Sequence, residues 1–96
     1  MRILYLEMIE TCVEAKSAYD IFFTDIIKQG FVEKFSDLGK IIIKSNLDKP
    51  FFKVIVRGKY TIKGIIGNDN FRVLMADNSG IEELNELKYI INDLLR

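Results

Sequence analysis

Ninety-six residues, 49% hydrophobic and 29% charged, with 14 basic and 14 acidic side chains, make a folded chain of ordinary composition and exclude a disordered polyelectrolyte. That length suits one domain, residues 1–96, with a single modest core and no obligatory metal or disulfide staple. No apolar run approaches the roughly 18 residues of a membrane span, no secretory signal is visible after Arg2, and the single Cys12 forms no internal disulfide, so a cytoplasmic protein without a membrane association is expected.

Met1–Ile9 suits either a strand or the start of a helix. Thr11–Glu14 has capping-box spacing, and a helix beginning at Cys12 leaves Arg2–Met8 as a first strand. A long helix is then expected from Cys12 to Gln29. Ala15, Tyr19, Phe22, Phe23, Ile26 and Ile27 fall on its apolar stripe, and Gly30 takes its C-terminal cap. Phe31–Leu38 reads as a short helical turn or loop, with Phe31, Val32, Phe35 and Leu38 tucked under a sheet.

Four runs of β-branched and aromatic residues follow: Lys40–Ser45, Phe51–Arg57, Tyr60–Ile66 and Phe71–Ala76. They predict an antiparallel meander. Asn46–Pro50 forms one turn, and Gly67-Asn68-Asp69-Asn70 is the strongest hairpin signal. Ser79-Gly80-Ile81-Glu82 repeats the capping-box spacing. Ile81, Leu84, Leu87, Ile91, Leu94 and Leu95 then predict a C-terminal helix.

Successive strand side chains alternate between faces. One set, Ile41, Ile43, Phe52, Val54, Val56, Tyr60 and Ile62, is apolar and should meet the helices. The other holds Lys40, Ile42, Lys44, Phe51, Lys53, Ile55, Arg57, Thr61, Lys63 and Ile65. The expected fold is a two-layer α+β domain. It has a four- or five-stranded, mostly antiparallel sheet, with the long N-terminal-half helix and the C-terminal helix on one face.

Charge is segregated along the chain. Residues 1–39 carry four basic and seven acidic side chains, residues 40–72 eight and two, and residues 73–96 two and five, giving −3, +6 and −3. The sheet should therefore project a positive field while the helices project a negative one. Three readings fit its basic face. Ile42, Ile55 and Ile65 are apolar enough to meet another protein chain, with Lys44, Lys53, Arg57 and Lys63 as a charged rim. The same cations could neutralise phosphates of a nucleic acid, with Phe51 or Tyr60 as stacking surfaces. A plain solvated face, with lysines discouraging edge pairing, is the third.

Catalysis finds little to build on. The chain lacks His, the commonest general base and metal ligand. Cys12 near a helix start reads as a small core residue. Glu7, Glu10 and Glu14, and Glu82, Glu83 and Glu86, could each gather a hard cation, but acidic residues in the first turn of a helix are expected from the dipole alone. Gly58, Gly64 and Gly67 lack phosphate-loop spacing and read as structural. No catalytic residue, metal or cofactor is expected.

Val54–Met75 faintly resembles the first motif of Sm-like RNA-binding proteins, with Gly58, Gly64 and Asp69-Asn70-Phe71 at the matching positions. The marker spacings differ by a residue, and a helix stands where the second Sm motif would be. The resemblance adds weight to the RNA alternative and assigns no family. The expectation is a non-enzymatic protein-interaction or self-assembly module, a homo-oligomer or partner-bound, with nucleic-acid binding as the alternative.

Overall fold

The computed structural model describes residues 1–10, 15–45 and 48–96. The meander forms as its alternation requires. Strands β3 (Lys40–Lys44), β4 (Phe51–Val56), β5 (Tyr60–Ile65) and β6 (Asn70–Met75) pair in sequence, each antiparallel to the next. Two glycines close its hairpins. Lys59 N–H donates to Val56 O at 3.0 Å, with Gly58 at φ +79°, and Asn68 N–H donates to Ile65 O at 3.1 Å, with Gly67 at φ +104°. In both turns the glycine is third of four residues, where a type II turn demands a positive φ.

Among the described residues the sheet has six strands, not four or five. Strand β1 (Ile3–Ile9) and strand β2 (Ala18–Phe23) pair with each other, and β2 joins β6. The spatial order is β1-β2-β6-β5-β4-β3. The long helix expected over Cys12–Gln29 is therefore overturned, because Ala18–Phe23 lies inside the sheet and residues 24–28 form a loop. Tyr19, Phe22, Phe23 and Ile27 satisfy a helical stripe, but Tyr19, Ile21 and Phe23 satisfy a pleat equally well. A six-residue run rich in Tyr, Ile and Phe packs better on a pleated surface. The Thr11–Glu14 cap, Cys12, Asn46 and Leu47 lie outside the described residues.

The loop after β2 is tied down by backbone bonds. Ile27 N–H donates to Asn68 O and Gly67 N–H donates to Ile27 O, both at 2.8 Å, which docks the loop on the β5–β6 turn. Ile27 is wholly buried there. A short helix α1 (Gln29–Glu33) and a 3₁₀ turn (Lys34–Asp37) follow. Gly30 sits inside α1 and does not cap a preceding helix. Phe31, Val32 and Phe35 are buried under the sheet as their spacing suggests.

Helix α2 (Ile81–Leu94) buries Leu84, Leu87 and Ile91, one stripe at helical spacing, while Ile81 is exposed. Its N-cap is Gly80, one residue beyond the expected Ser79. Glu83 Oε2 accepts from Gly80 N–H at 3.1 Å, which is half of a capping box, since glycine has no side chain to complete it. Ser79 Oγ instead donates to Gly58 O at 3.3 Å, tying the helix start to the β4–β5 turn.

Between these helices and the sheet lies the core. Phe52, Val54, Val56, Tyr60 and Ile62 are buried there as the alternation predicts, joined by Ile21, Phe23, Phe71, Val73 and Met75. Ile41 and Ile43 pack on its margin. Phe71 anchors an edge-to-face set, 5.1 Å from the Phe23 ring and 6.3 Å from those of Phe35 and Phe52. No helix among the described residues is long and apolar enough to cross a membrane.

Candidate interaction surface

With the apolar half of the pleat turned to the helices, the other half of β2 to β6 makes an outer face. Strand register sorts it into rows. One row runs Glu7, Asp20, Arg72, Lys63, Lys53, Ile42 from β1 to β3. The next runs Ile9, Ala18, Leu74, Thr61, Ile55, Lys40. A third places Tyr5 beside Phe22 beside Asn70, and, across the sheet, Ile65 beside Phe51 beside Lys44.

The residues singled out from sequence thus share one face. Lys53, Lys63 and Ile42 stand in a single row, Ile55 lies in the next, and Ile65 and Lys44 flank Phe51 in the third. Arg57 lies in the β4–β5 turn at the end of this face, where it is exposed. Ile42, Ile55 and Ile65 are each half-buried.

The face is not flat. A cleft of about 360 Å³ is lined by Lys53, Ile55, Arg57, Thr61, Lys63 and Leu74, with Ala15 at its margin. A second, of about 290 Å³, involves Asp20, Phe51, Lys63, Ile65, Asn70 and Arg72. Both are shallow and share Lys63, so together they follow β5 along the sheet.

Charge on this face is partly answered from within. Arg72 forks onto Asp20, with Nε at 2.9 Å from Oδ1 and Nη2 at 3.1 Å from Oδ2. Such a bidentate pair is the stronger kind of surface ion pair. Lys59 pairs with Glu86 of α2 at 2.8 Å, off the face. Among the described residues, Lys40, Lys44, Lys53 and Arg57 carry no ion pair. Lys53 stands directly opposite Lys63, and Lys63 opposite Arg72. Like charges facing one another across strands destabilise a sheet by a fraction of a kcal/mol to about 1 kcal/mol.

Sequence reasoning missed Asp20, Phe22, Arg72 and Leu74. The first two were hidden by reading β2 as helix. Arg72 and Leu74 were legible, since burial of Phe71, Val73 and Met75 forces their neighbours outward. The Phe22 ring stacks on Tyr5 at 4.6 Å between centroids, an aromatic pair on this face that the helical reading could not reveal. Tyr60, by contrast, cannot stack on a ligand there. It is buried on the core side, its hydroxyl has no hydrogen-bond partner, and burial followed by the negative Glu86 pushes its pKa up to about 12.

Two acidic residues of α2 have structural duties, Glu83 capping the helix and Glu86 holding Lys59. Among the described residues no three Cys, Asp or Glu side chains gather as metal ligands would. Compared with protein-family models, with curated proteins and with solved structures, the chain shows no match.

Proposed function

We propose that the chain is a non-enzymatic protein-interaction module that docks a partner protein, or a second copy of itself, on the outer face of its sheet. The observation that carries this is the company kept by Ile42, Ile55 and Ile65. These half-buried apolar side chains share one face with Lys44, Lys53 and Lys63, while both helices pack on the other. Apolar centres with a cationic rim suit a protein surface carrying acidic groups around an apolar patch.

Size-exclusion chromatography with light scattering tests the self-association arm, comparing the wild-type chain with Ile55→Asp. A mass well above 11.1 kDa that returns to the monomer value in the variant supports it. A strict monomer at high concentration removes that arm and leaves a different protein as partner. Wild-type and Ile55→Asp baits retaining the same proteins would then defeat the remaining reading.

Nucleic acid is the second reading, favoured by the row of Lys53, Lys63 and Arg72 across three strands. Against it stand the Asp20 carboxylate at the end of that row and the burial of Tyr60. Filter binding of mixed RNA and DNA at two salt concentrations separates the two. Affinity that falls steeply with salt and disappears in Lys53→Glu/Arg57→Glu marks phosphate contacts, whereas no binding at low salt ends this reading.

A further inference from the structure

Three of the outer-face cations that carry no ion pair among the described residues stand together at one edge of the sheet. Lys40, Lys44 and Lys53 surround Ile42, the first two on its own strand and the third directly opposite on β4. Among the described residues, strand β3 is terminal in the sheet and pairs only with β4. The backbone groups on its far side are therefore open to a further strand. Its sequence, Lys40-Ile41-Ile42-Ile43-Lys44, puts the two lysines and Ile42 on the outer face, with Ile41 and Ile43 at the margin of the core.

We infer that the β3 edge accepts an extended acidic segment of a partner protein as a seventh strand. This rests on the protein-interaction reading and specifies how the partner engages. Main-chain bonds to β3 would supply affinity and side-chain spacing the selectivity. The segment carries carboxylates four residues apart, opposite Lys40 and Lys44, and apolar residues at the three positions between, opposite Ile41, Ile42 and Ile43. The pattern of β3 reads the same in both directions, so the charge match holds for either orientation of the incoming strand.

The same pattern excludes a second copy of this edge. Antiparallel pairing of two β3 strands about Ile42 sets Lys40 of one copy against Lys44 of the other, twice. Strand β1, at the opposite edge, is built differently. It carries one charge, Glu7, and a register shift between Ile3 and Tyr5 interrupts its ladder, so it lacks the paired cations that select an acidic segment.

The test titrates the full ¹⁵N-labelled chain with the peptide Ser-Gly-Glu-Val-Val-Val-Glu-Gly-Ser, followed by amide shifts. Saturable shifts of the amides of residues 40–44 are expected. Affinity should fall by about tenfold or more in Lys40→Glu/Lys44→Glu, and as much for the peptide N-methylated at alternate residues, which keeps its side chains but cannot complete a ladder. Equal binding of the methylated peptide, with shifts confined to Lys53, Ile55 and Ile65, overturns the edge inference and leaves the broad-face reading standing. No saturable shift by about 1 mM peptide also overturns it, and the broad face is then judged by light scattering and the bait comparison.

Discussion

Tyr60 shows how a single atom can cost the fold. Among the described residues its hydroxyl is the one buried side-chain polar atom without a partner. Such a group forfeits its hydrogen bonds to water and regains none, at roughly 1–3 kcal/mol. Tyr60→Phe should therefore raise stability by about 1 kcal/mol in urea unfolding, and a loss of stability would show that the hydroxyl is satisfied. Alkali should widen the gap. The folded-state pKa near 12 lies above the unfolded value of 10.0, so the neutral phenol is the form the fold holds. Its contribution is complete below pH 10 and is lost as pH rises through 12. By pH 11 the wild type should have lost on the order of 1 kcal/mol that Tyr60→Phe keeps. Two glycines are fixed by close approach. A Cβ on Gly64 would stand 2.7 Å from the Phe52 ring and 2.9 Å from Phe71 Cβ, and one on Gly39 would overlap the backbone carbonyl of Ile55. Gly64→Ala should cost about 1–3 kcal/mol through displaced rings. Gly39→Ala should cost more, since a backbone in a sheet cannot swing aside as a side chain can. Thermal melts that ranked them the other way would contradict this packing.

Among the elements, β2 separates what periodicity can reveal from what it cannot. The meander was legible because Phe52, Val54, Val56 and Tyr60, Ile62 fall at alternate positions of six-residue runs rich in β-branched and aromatic residues and bounded by turn formers. The C-terminal helix was legible because Leu84, Leu87 and Ile91 repeat at 3.6 over 14 residues. Tyr19, Ile21, Phe22 and Phe23 form too short a run to choose between periods, and only the open flank of β6 decides in favour of a strand. That flank is a tertiary fact. The candidate face was therefore readable across β3, β4 and β5, while Asp20 and Phe22 entered it only once β2 had a place. Hydrogen exchange gives this an experimental form. With β1 on one side and β6 on the other, β2 amides have ladder partners in both directions. They should exchange among the slowest in the chain, with the β1 amides facing the open edge among the fastest of the strands. Fast exchange throughout residues 18–23 would contradict the six-stranded order.

Over the whole molecule, the balance of 14 basic and 14 acidic residues conceals a sheet and two helices of opposite sign. Segregation of this kind leaves Lys53 facing Lys63, and Lys63 facing Arg72, in adjacent strands, where facing like charges are unfavourable. Positions that a partner reads are where such an internal cost is tolerated. Lys53→Glu discriminates, because it exchanges a repulsive cross-strand pair for an attractive one without touching the core. On its own the variant should be more stable by about 0.2–1 kcal/mol. Near a denaturation midpoint this amounts to a rise of a few degrees for a chain of this size, shrinking as salt screens the half-exposed pair. In the presence of an acidic partner the order should reverse. The wild type would gain stability by mass action as partner is added, and Lys53→Glu, with a carboxylate beside Ile42 of β3, would gain less. Thermal melts of both proteins at low and high salt, with and without the acidic peptide, measure the two effects separately. A variant less stable than the wild type at low salt would mean that the cations are not in conflict. The cationic row would then be the ordinary surface of a sheet, with no pressure to meet anything.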